Sequence, residues 1–133
     1  MRPLLALAAA TLALLAFTRA DTPLVTVHAD CDNGHLGAHH VSPDSVSVAQ
    51  DGDLDWELDD ASTATDINVG PKHPGHWPYA NDEHFKGGKG KDHEAKADGK
   101  HMKKNAAGAY PYNIALTCPG GATVTIDPTI VVH

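Results

Sequence analysis

Histidine offers the most chemistry in this chain, which contains ten histidines among 133 residues. A neutral imidazole is a common nitrogen ligand for zinc, copper and nickel, and it titrates near neutral pH. One group of histidines lies close to Cys31 in the sequence and consists of His28, His35, His39 and His40. A second group lies in a long polar segment and consists of His73, His76, His84, His93 and His101.

The second group predicts a low-specificity site for copper, zinc or nickel. His73 and His76 are separated by Pro-Gly, a dipeptide that turns the chain and brings two imidazoles close. This spacing lacks the fixed geometry that a helix gives the histidine pair of zinc proteases. All five members of the group are candidate metal ligands, but solvated loop histidines in a polar segment are the favoured interpretation. His39 and His40 are adjacent and would point in different directions in an extended segment, which favours a solvated role for the first group.

The sequence carries no recognisable catalytic constellation. It contains no Gly-x-Ser-x-Gly elbow, no helix-borne pair of metal-binding histidines and no phosphate-cradling glycine loop. We therefore predict that the protein is not an enzyme.

The N-terminal residues have the features of a secretory signal peptide. Arg2 precedes an apolar run over residues 4–17, and the run ends in Thr18-Arg19-Ala20, which a signal peptidase would cleave after Ala20. The run is shorter than the roughly 20 residues that a membrane-spanning helix needs. We expect residues 1–20 to be removed and residues 21–133 to form one periplasmic or secreted domain without stable membrane insertion.

Export changes the interpretation of the two cysteines, Cys31 and Cys118. Thiols in an oxidising compartment tend to pair, so these residues are expected to form a disulfide. A metal-ligating or catalytic thiol is the alternative, but no CxxC pair supports it.

Charge is unevenly distributed along the chain. Residues 21–71 carry eleven acids and no lysine or arginine, whereas residues 72–104 hold all eight lysines and five acids. An acidic protein is a poor match for nucleic acid, where affinity comes from neutralising phosphates. The expected partner is therefore an unknown protein or a metal ion, and not nucleic acid.

Alternating apolar residues predict about seven short strands and no amphipathic helix. The clearest runs cover residues 24–27, 46–48, 54–58, 67–69, 109–116, 123–126 and 130–132. This spacing is typical of an all-β sandwich or barrel. Residues 71–105 interrupt the pattern with Lys, Asp, His and Gly, and they predict one long polar insertion loop that is either functional or disordered. Trp77, Tyr79 and Phe85 are expected to anchor its first half.

Two motifs resemble the cupredoxins, the family of plastocyanin and azurin. Residues 41–56 resemble the early strands of that family, where alternating valines lead to Gly-Asp and an apolar-x-Trp strand. Gly108-Ala109-Tyr110-Pro111-Tyr112 resembles the Gly-x-Tyr-x-aromatic strand that leads to the copper loop. The resemblance implies a cupredoxin-like Greek-key β-sandwich.

The resemblance also implies where type 1 copper ligands would stand. Such a centre needs two imidazoles and a thiolate, usually with a weak axial thioether. The thiolate position falls on Ile114, the first histidine position falls on residues 65–67, and residues 117–121 replace the later histidine and methionine. None of these positions carries the family's ligand, so the resemblance implies a sandwich without a type 1 copper centre.

These observations favour an exported, noncatalytic cupredoxin-like binding or structural module. Its expected binding face is the loop end where relatives hold copper, capped here by residues 71–105. The alternative is a periplasmic metal-binding buffer or carrier that uses the loop histidines for copper, zinc or nickel.

Overall fold

The computed structural model describes residues 22–133, which form two packed β-sheets and contain no α-helix. The ten strands of this region are β1 Leu24–Asp32, β2 His35–Ser42, β3 Ser45–Val48, β4 Leu54–Leu58, β5 Asp66–Pro71, β6 Phe85–Gly88, β7 Ala95–Ala97, β8 Gly108–Thr117, β9 Thr123–Ile126 and β10 Thr129–Val132. Three short 3-10 turns cover Ala80–Asp82, Lys91–His93 and Gly99–His101. Within residues 22–133, no helix is long and apolar enough to cross a membrane. The predicted signal peptide, residues 1–20, lies outside the described residues.

Strand alternation builds the core. β1 buries Val25, Val27 and Ala29 and turns the residues between them outward. β4 alternates in the same way around the fully buried Trp56. A period of two places every second side chain on one face of a strand, so the two sheets bury their apolar faces against each other.

The two sheets contain both parallel and antiparallel pairs. The smaller sheet has the strand order β2-β1-β4-β7, and the larger has the order β3-β10-β8-β5-β6, with β9 also paired to β8. β1 pairs with β4 in parallel, as β3 does with β10, and the other strand pairs are antiparallel. The predicted all-β sandwich is confirmed, but the described chain has ten strands and not about seven.

Residues 71–105 are not the structureless loop that the sequence predicts. Within this segment β6 extends the larger sheet beside β5, and β7 extends the smaller sheet beside β4. At Gly87 the two new strands pass so close that a Cβ atom would stand 2.5 Å from the carbonyl oxygen of His93. The segment therefore closes one side of the sandwich. The prediction missed this because β6 and β7 are only four and three residues long and contain no long aliphatic side chain.

Five aromatic side chains join this segment to the core. Trp77, Tyr79 and Phe85 of the segment pack with Trp56 and Tyr112 of the sandwich, and each is buried. The centroids of the contacting rings lie 5.0 to 6.0 Å apart. The anchoring role predicted for Trp77, Tyr79 and Phe85 is confirmed, because buried aromatic rings supply the apolar area that the segment otherwise lacks.

Cys31 and Cys118 form the predicted disulfide, with their Cα atoms 5.8 Å apart. Cys31 lies near the end of β1 in the smaller sheet, and Cys118 directly follows β8 in the larger sheet. The bridge therefore joins the two sheets at one end of the sandwich.

Two buried tyrosines differ in their hydrogen bonding. The indole N–H of Trp56 donates to the Tyr112 hydroxyl at 3.0 Å. The Tyr79 hydroxyl is buried without a partner among the described residues. Burial raises the pKa of both phenols, so both stay protonated at neutral pH.

Removing the two hydroxyls is expected to have different effects. Tyr112→Phe should lower the free energy of unfolding by about 1–3 kcal/mol, because it leaves the Trp56 N–H buried without an acceptor. Tyr79→Phe removes an unpartnered polar group and should be neutral or stabilising. Urea denaturation followed by tryptophan fluorescence measures both changes. A larger loss for Tyr79→Phe than for Tyr112→Phe would contradict the hydrogen-bond assignment.

Candidate functional site

The structure does not gather the five candidate metal ligands. His73 and His76 are paired across their tight turn, where the His76 N–H donates to the His73 carbonyl at 3.0 Å. His84 contacts the side chain of Asn68 at 3.2 Å, and His93 is exposed in the turn between β6 and β7. Among residues 22–133, no group of three or more His, Cys, Asp or Glu is placed to hold a metal ion.

His101, the fifth of these histidines, pairs with a carboxylate. Its Nδ1 atom lies 2.9 Å from Oε1 of Glu83. The 3-10 turns Ala80–Asp82 and Gly99–His101 bring the two residues together, and the Lys103 N–H fixes the turns by donating to the Pro78 carbonyl at 2.8 Å. When Nδ1–H donates to the carboxylate of Glu83, Nε2 of His101 remains available to a ligand.

An open depression of about 550 Å³ lies beside this hydrogen-bonded pair. It is lined by Ala80, Asn81, Glu83, Lys100, His101 and Met102. The lining combines apolar surface with a few hydrogen-bonding and charged groups, which is the usual composition of a small-molecule site. Glu83 precedes β6 and Lys100 follows β7, so the depression lies at the end of these strands opposite to their connecting turn.

Left-handed backbone lies at the edge of the depression, where Asn81 belongs to the lining and Asp82 follows it. Asn81 and Asp82 are consecutive non-glycine residues with left-handed backbone, at φ 61° and 49°. The Asp82 carboxylate accepts the Gly75 N–H at 3.1 Å, which ties this backbone to the preceding turn. Such residues persist only where the surrounding structure holds them, and they cluster at functional sites. An Asn-Asp pair tolerates this conformation better than most residues, so the sequence carried a weak signal for it.

A second polar cluster lies on the outer face of the smaller sheet. Nδ1 of His28 on β1 lies 3.0 Å from the Asp59 carboxylate, and its Nε2 lies 3.2 Å from Asp30. The ring of His40 on β2 stacks on His28 with a centroid distance of 5.3 Å. The alternation of β1 could have placed His28 and Asp30 on one face, but nothing in the sequence brings Asp59 to them.

This cluster contains the residue types of a hydrolase triad but not its geometry. The hydroxyl of Ser62 donates to Asp59 at 2.7 Å, and its oxygen accepts the Ala29 N–H at 3.0 Å. A nucleophilic serine must instead give its proton to the imidazole, here His28. The arrangement therefore does not activate Ser62.

The positions at which the cupredoxin resemblance places copper ligands carry neither the family's histidines nor a free thiolate. Ile114 on β8 and Ile67 on β5 are buried hydrocarbon. Cys118 directly follows β8 in the sequence, and its sulfur is bonded to Cys31 and is therefore not a free thiolate. The turn between β6 and β7 reaches this end of the sandwich, where the Gly90 N–H donates to the Leu58 carbonyl. Strands β6 and β7 of the segment 71–105 lie along the side of the sandwich, and the turn between them is the part of the segment that reaches the loop end.

Comparisons with known protein families, curated proteins and solved structures found no match to this chain. The function is therefore inferred from the depression beside Glu83 and His101 and from the sequence motifs.

Proposed function

We propose that this chain is an exported, noncatalytic binding module: a cupredoxin-like Greek-key sandwich without type 1 copper that binds a small ligand in the depression beside Glu83 and His101. The depression is the observation that carries the proposal. It is built by the segment 71–105, which places the left-handed backbone of Asn81 and the hydrogen-bonded pair of Glu83 and His101 in its lining.

The cupredoxin-like assignment is supported by a contact between its two motifs. Trp56 ends the first motif and Tyr112 ends the second, and their side chains share a buried hydrogen bond. The chain also passes repeatedly between the sheets, with β1 and β2 in the smaller sheet, β3 in the larger and β4 in the smaller again. Such crossings are typical of Greek-key sandwiches. Export is supported by the disulfide between the two cysteines of the sequence.

The lining of the depression suits a small polar ligand with a short apolar part. Lys100 and Asn81 offer N–H donors, and Nε2 of His101 offers an acceptor when Nδ1 carries the proton. Ala80 and Met102 supply apolar surface. No serine, threonine or cysteine is among the described residues that line it.

A titration monitored by 15N–1H NMR tests this proposal, with small carboxylates, amines, sugars and Zn(II) as probes at millimolar concentration. We expect at least one organic probe to give saturable shifts at residues 80–83 and 100–102. Lys100→Ala should weaken that binding, whereas Lys91→Ala, in another exposed 3-10 turn, should not. If no organic probe perturbs these residues, the depression is not the binding site.

Metal buffering or carriage is the second candidate function, and the His73–His76 turn favours it. The turn pairs the backbones of two exposed histidines, and copper, zinc and nickel all accept imidazole nitrogen. The His76 ring packs on Tyr110 with its Nε2 atom 3.2 Å from the Ala109 carbonyl oxygen, so a metal would have to displace that contact. The same titration separates the two functions. Saturable Zn(II) shifts at residues 73–76 that vanish in His73→Ala/His76→Ala would support the metal function, and His39→Ala/His40→Ala is the control.

A further inference from the structure

His28 directs both ring nitrogens at carboxylates from two parts of the chain. Nδ1 lies 3.0 Å from Asp59, which follows β4, and Nε2 lies 3.2 Å from Asp30, which shares β1 with His28. A carboxylate can only accept hydrogen bonds, so both contacts are hydrogen bonds only when the imidazole carries two protons. The geometry therefore fits the imidazolium and not the neutral ring.

The same two carboxylates hold the β4–β5 loop against β1. The Asp59 carboxylate accepts a hydrogen bond from the Ser62 hydroxyl. The backbone N–H of Asp59 donates to the Val27 carbonyl at 2.8 Å. The Asp30 carboxylate accepts the Thr63 N–H at 3.3 Å. A change at His28 therefore acts on groups that position this loop.

The loop also bonds to the β1 backbone beside the disulfide. Thr63 Oγ1 accepts the Cys31 N–H at 2.7 Å, and the Ser62 hydroxyl oxygen accepts the Ala29 N–H. The N–H groups of Thr63 and Ala64 both lie 3.1 Å from the Ala29 carbonyl. The β4–β5 loop and β1 are therefore joined by several hydrogen bonds, and the carboxylates of Asp30 and Asp59 accept those nearest to His28.

The charged and titratable groups around His28 come from three elements among the described residues. Asp30 lies on β1, Asp59 follows β4, and the His40 ring stacks from β2. Glu57 also points outward on β4, but it is paired with Thr26 and therefore lies beside Thr26 and not beside His28. Two carboxylates against one further imidazole favour a positive charge on His28.

We propose that His28 is a pH-sensitive switch: its imidazolium fixes the β4–β5 loop to β1, and the loss of one proton loosens that loop. The switch is independent of ligand binding in the depression, which lies at the other end of the β6 and β7 strands.

The direction of the pH dependence follows from the two partners. The hydrogen bonds to Asp59 and then Asp30 raise the pKa of His28 above the ordinary value of 6.5, against a smaller opposing effect of desolvation. The contribution of His28 is therefore complete below pH 6.5 and is lost as the pH rises through the raised pKa.

Asp59 sets the acidic limit of the switch. Burial raises the pKa of Asp59, but hydrogen bonds from Ser62 and His28 together outweigh it and bring the pKa below the ordinary 3.8. The contribution of Asp59 is present above pH 3.8 and is lost as the pH falls through the lowered pKa. Both contributions that fix the β4–β5 loop to β1 are therefore present between pH 3.8 and 6.5, and the loop loosens as the pH rises above this range.

Hydrogen exchange of the backbone amides, measured by NMR on the protein comprising residues 21–133, tests the switch. After correction for the intrinsic exchange rate, protection of the Thr63 and Ala64 amides should fall by about two- to fivefold between pH 5.5 and pH 8.5, the range expected for a partly exposed ion pair. His28→Gln should show the lower protection at both pH values. His40→Gln, which removes the stacked ring but no carboxylate contact, should keep the pH response.

Two results would overturn the proposal: equal protection of the wild-type loop at both pH values, or a wild-type pH response in His28→Gln. If His28→Gln does not fold, Asp59→Asn replaces it, because it keeps the side-chain shape and removes the charge. A wild-type pH response in Asp59→Asn would overturn the proposal equally.

Discussion

Replacing both Cys31 and Cys118 with alanine is expected to lower the free energy of unfolding by about 4 kcal/mol. The bridge spans 87 residues, and in the chain-entropy account a long loop restricts the unfolded chain strongly. Domains of this size are stable by only about 5–15 kcal/mol, so the variant should be close to unfolding at physiological temperature. Urea denaturation followed by the fluorescence of Trp56 and Trp77, both buried, measures the loss.

The reduced wild-type protein is the matched control for this variant. Reduction breaks the bridge but keeps both sulfur atoms, so it separates the effect of the crosslink from that of side-chain packing. Similar losses for the reduced protein and the double alanine variant would assign the effect to the crosslink. A loss below about 1 kcal/mol in both would show that the bridge adds little to stability, contrary to expectation.

Gly87→Ala is expected to destabilise the protein by about 1–3 kcal/mol, the usual cost of overpacking. A Cβ at Gly87 would lie 2.5 Å from the His93 carbonyl oxygen and 2.6 Å from the Ala95 nitrogen. Both atoms are backbone, so neither can move aside by changing a rotamer. Denaturation in urea measures the change, which reports directly on how closely β6 approaches β7.

The neighbouring glycine provides the control. At Gly88 the nearest atom to an added Cβ is the Cβ of His93, at the ordinary contact distance of 3.6 Å. Gly88→Ala should therefore have little effect, although it makes the same chemical change one residue later. Equal losses for Gly87→Ala and Gly88→Ala would contradict the close packing of the two strands.

Features that depend on short-range pattern were predicted from the sequence. The period of two in residues 24–27 and 54–58 corresponds to β1 and β4, and the two cysteines, together with the expectation of export, predicted the disulfide. Both inferences need only the local sequence or a count of cysteines. Trp77 and Phe85 were also assigned correctly to the core, because large aromatic rings in a polar segment have few other places to lie.

Features that depend on packing between distant residues were not predicted. β6 and β7 form because β5 and β4 each have a free edge beside them, and residues such as Ala95 carry no periodic signal of their own. In the candidate site, His101 was identified but its partner Glu83 was not, since only the folded segment places them together. Asp59 was missed for the same reason, because it is 31 residues from His28 in the sequence.

The parallel pairing of β3 with β10 has a consequence for the order of assembly. In the larger sheet β3 has β10 as its neighbour, and Ser45 of β3 is opposite Thr129 of β10, about 80 residues later in the chain. During synthesis from the N-terminus, β3 therefore has no β10 to pair with until most of the domain has been made. Pairings of such long range form slowly, so we expect Val46 and Val48, which are buried in the folded domain, to become covered late in folding.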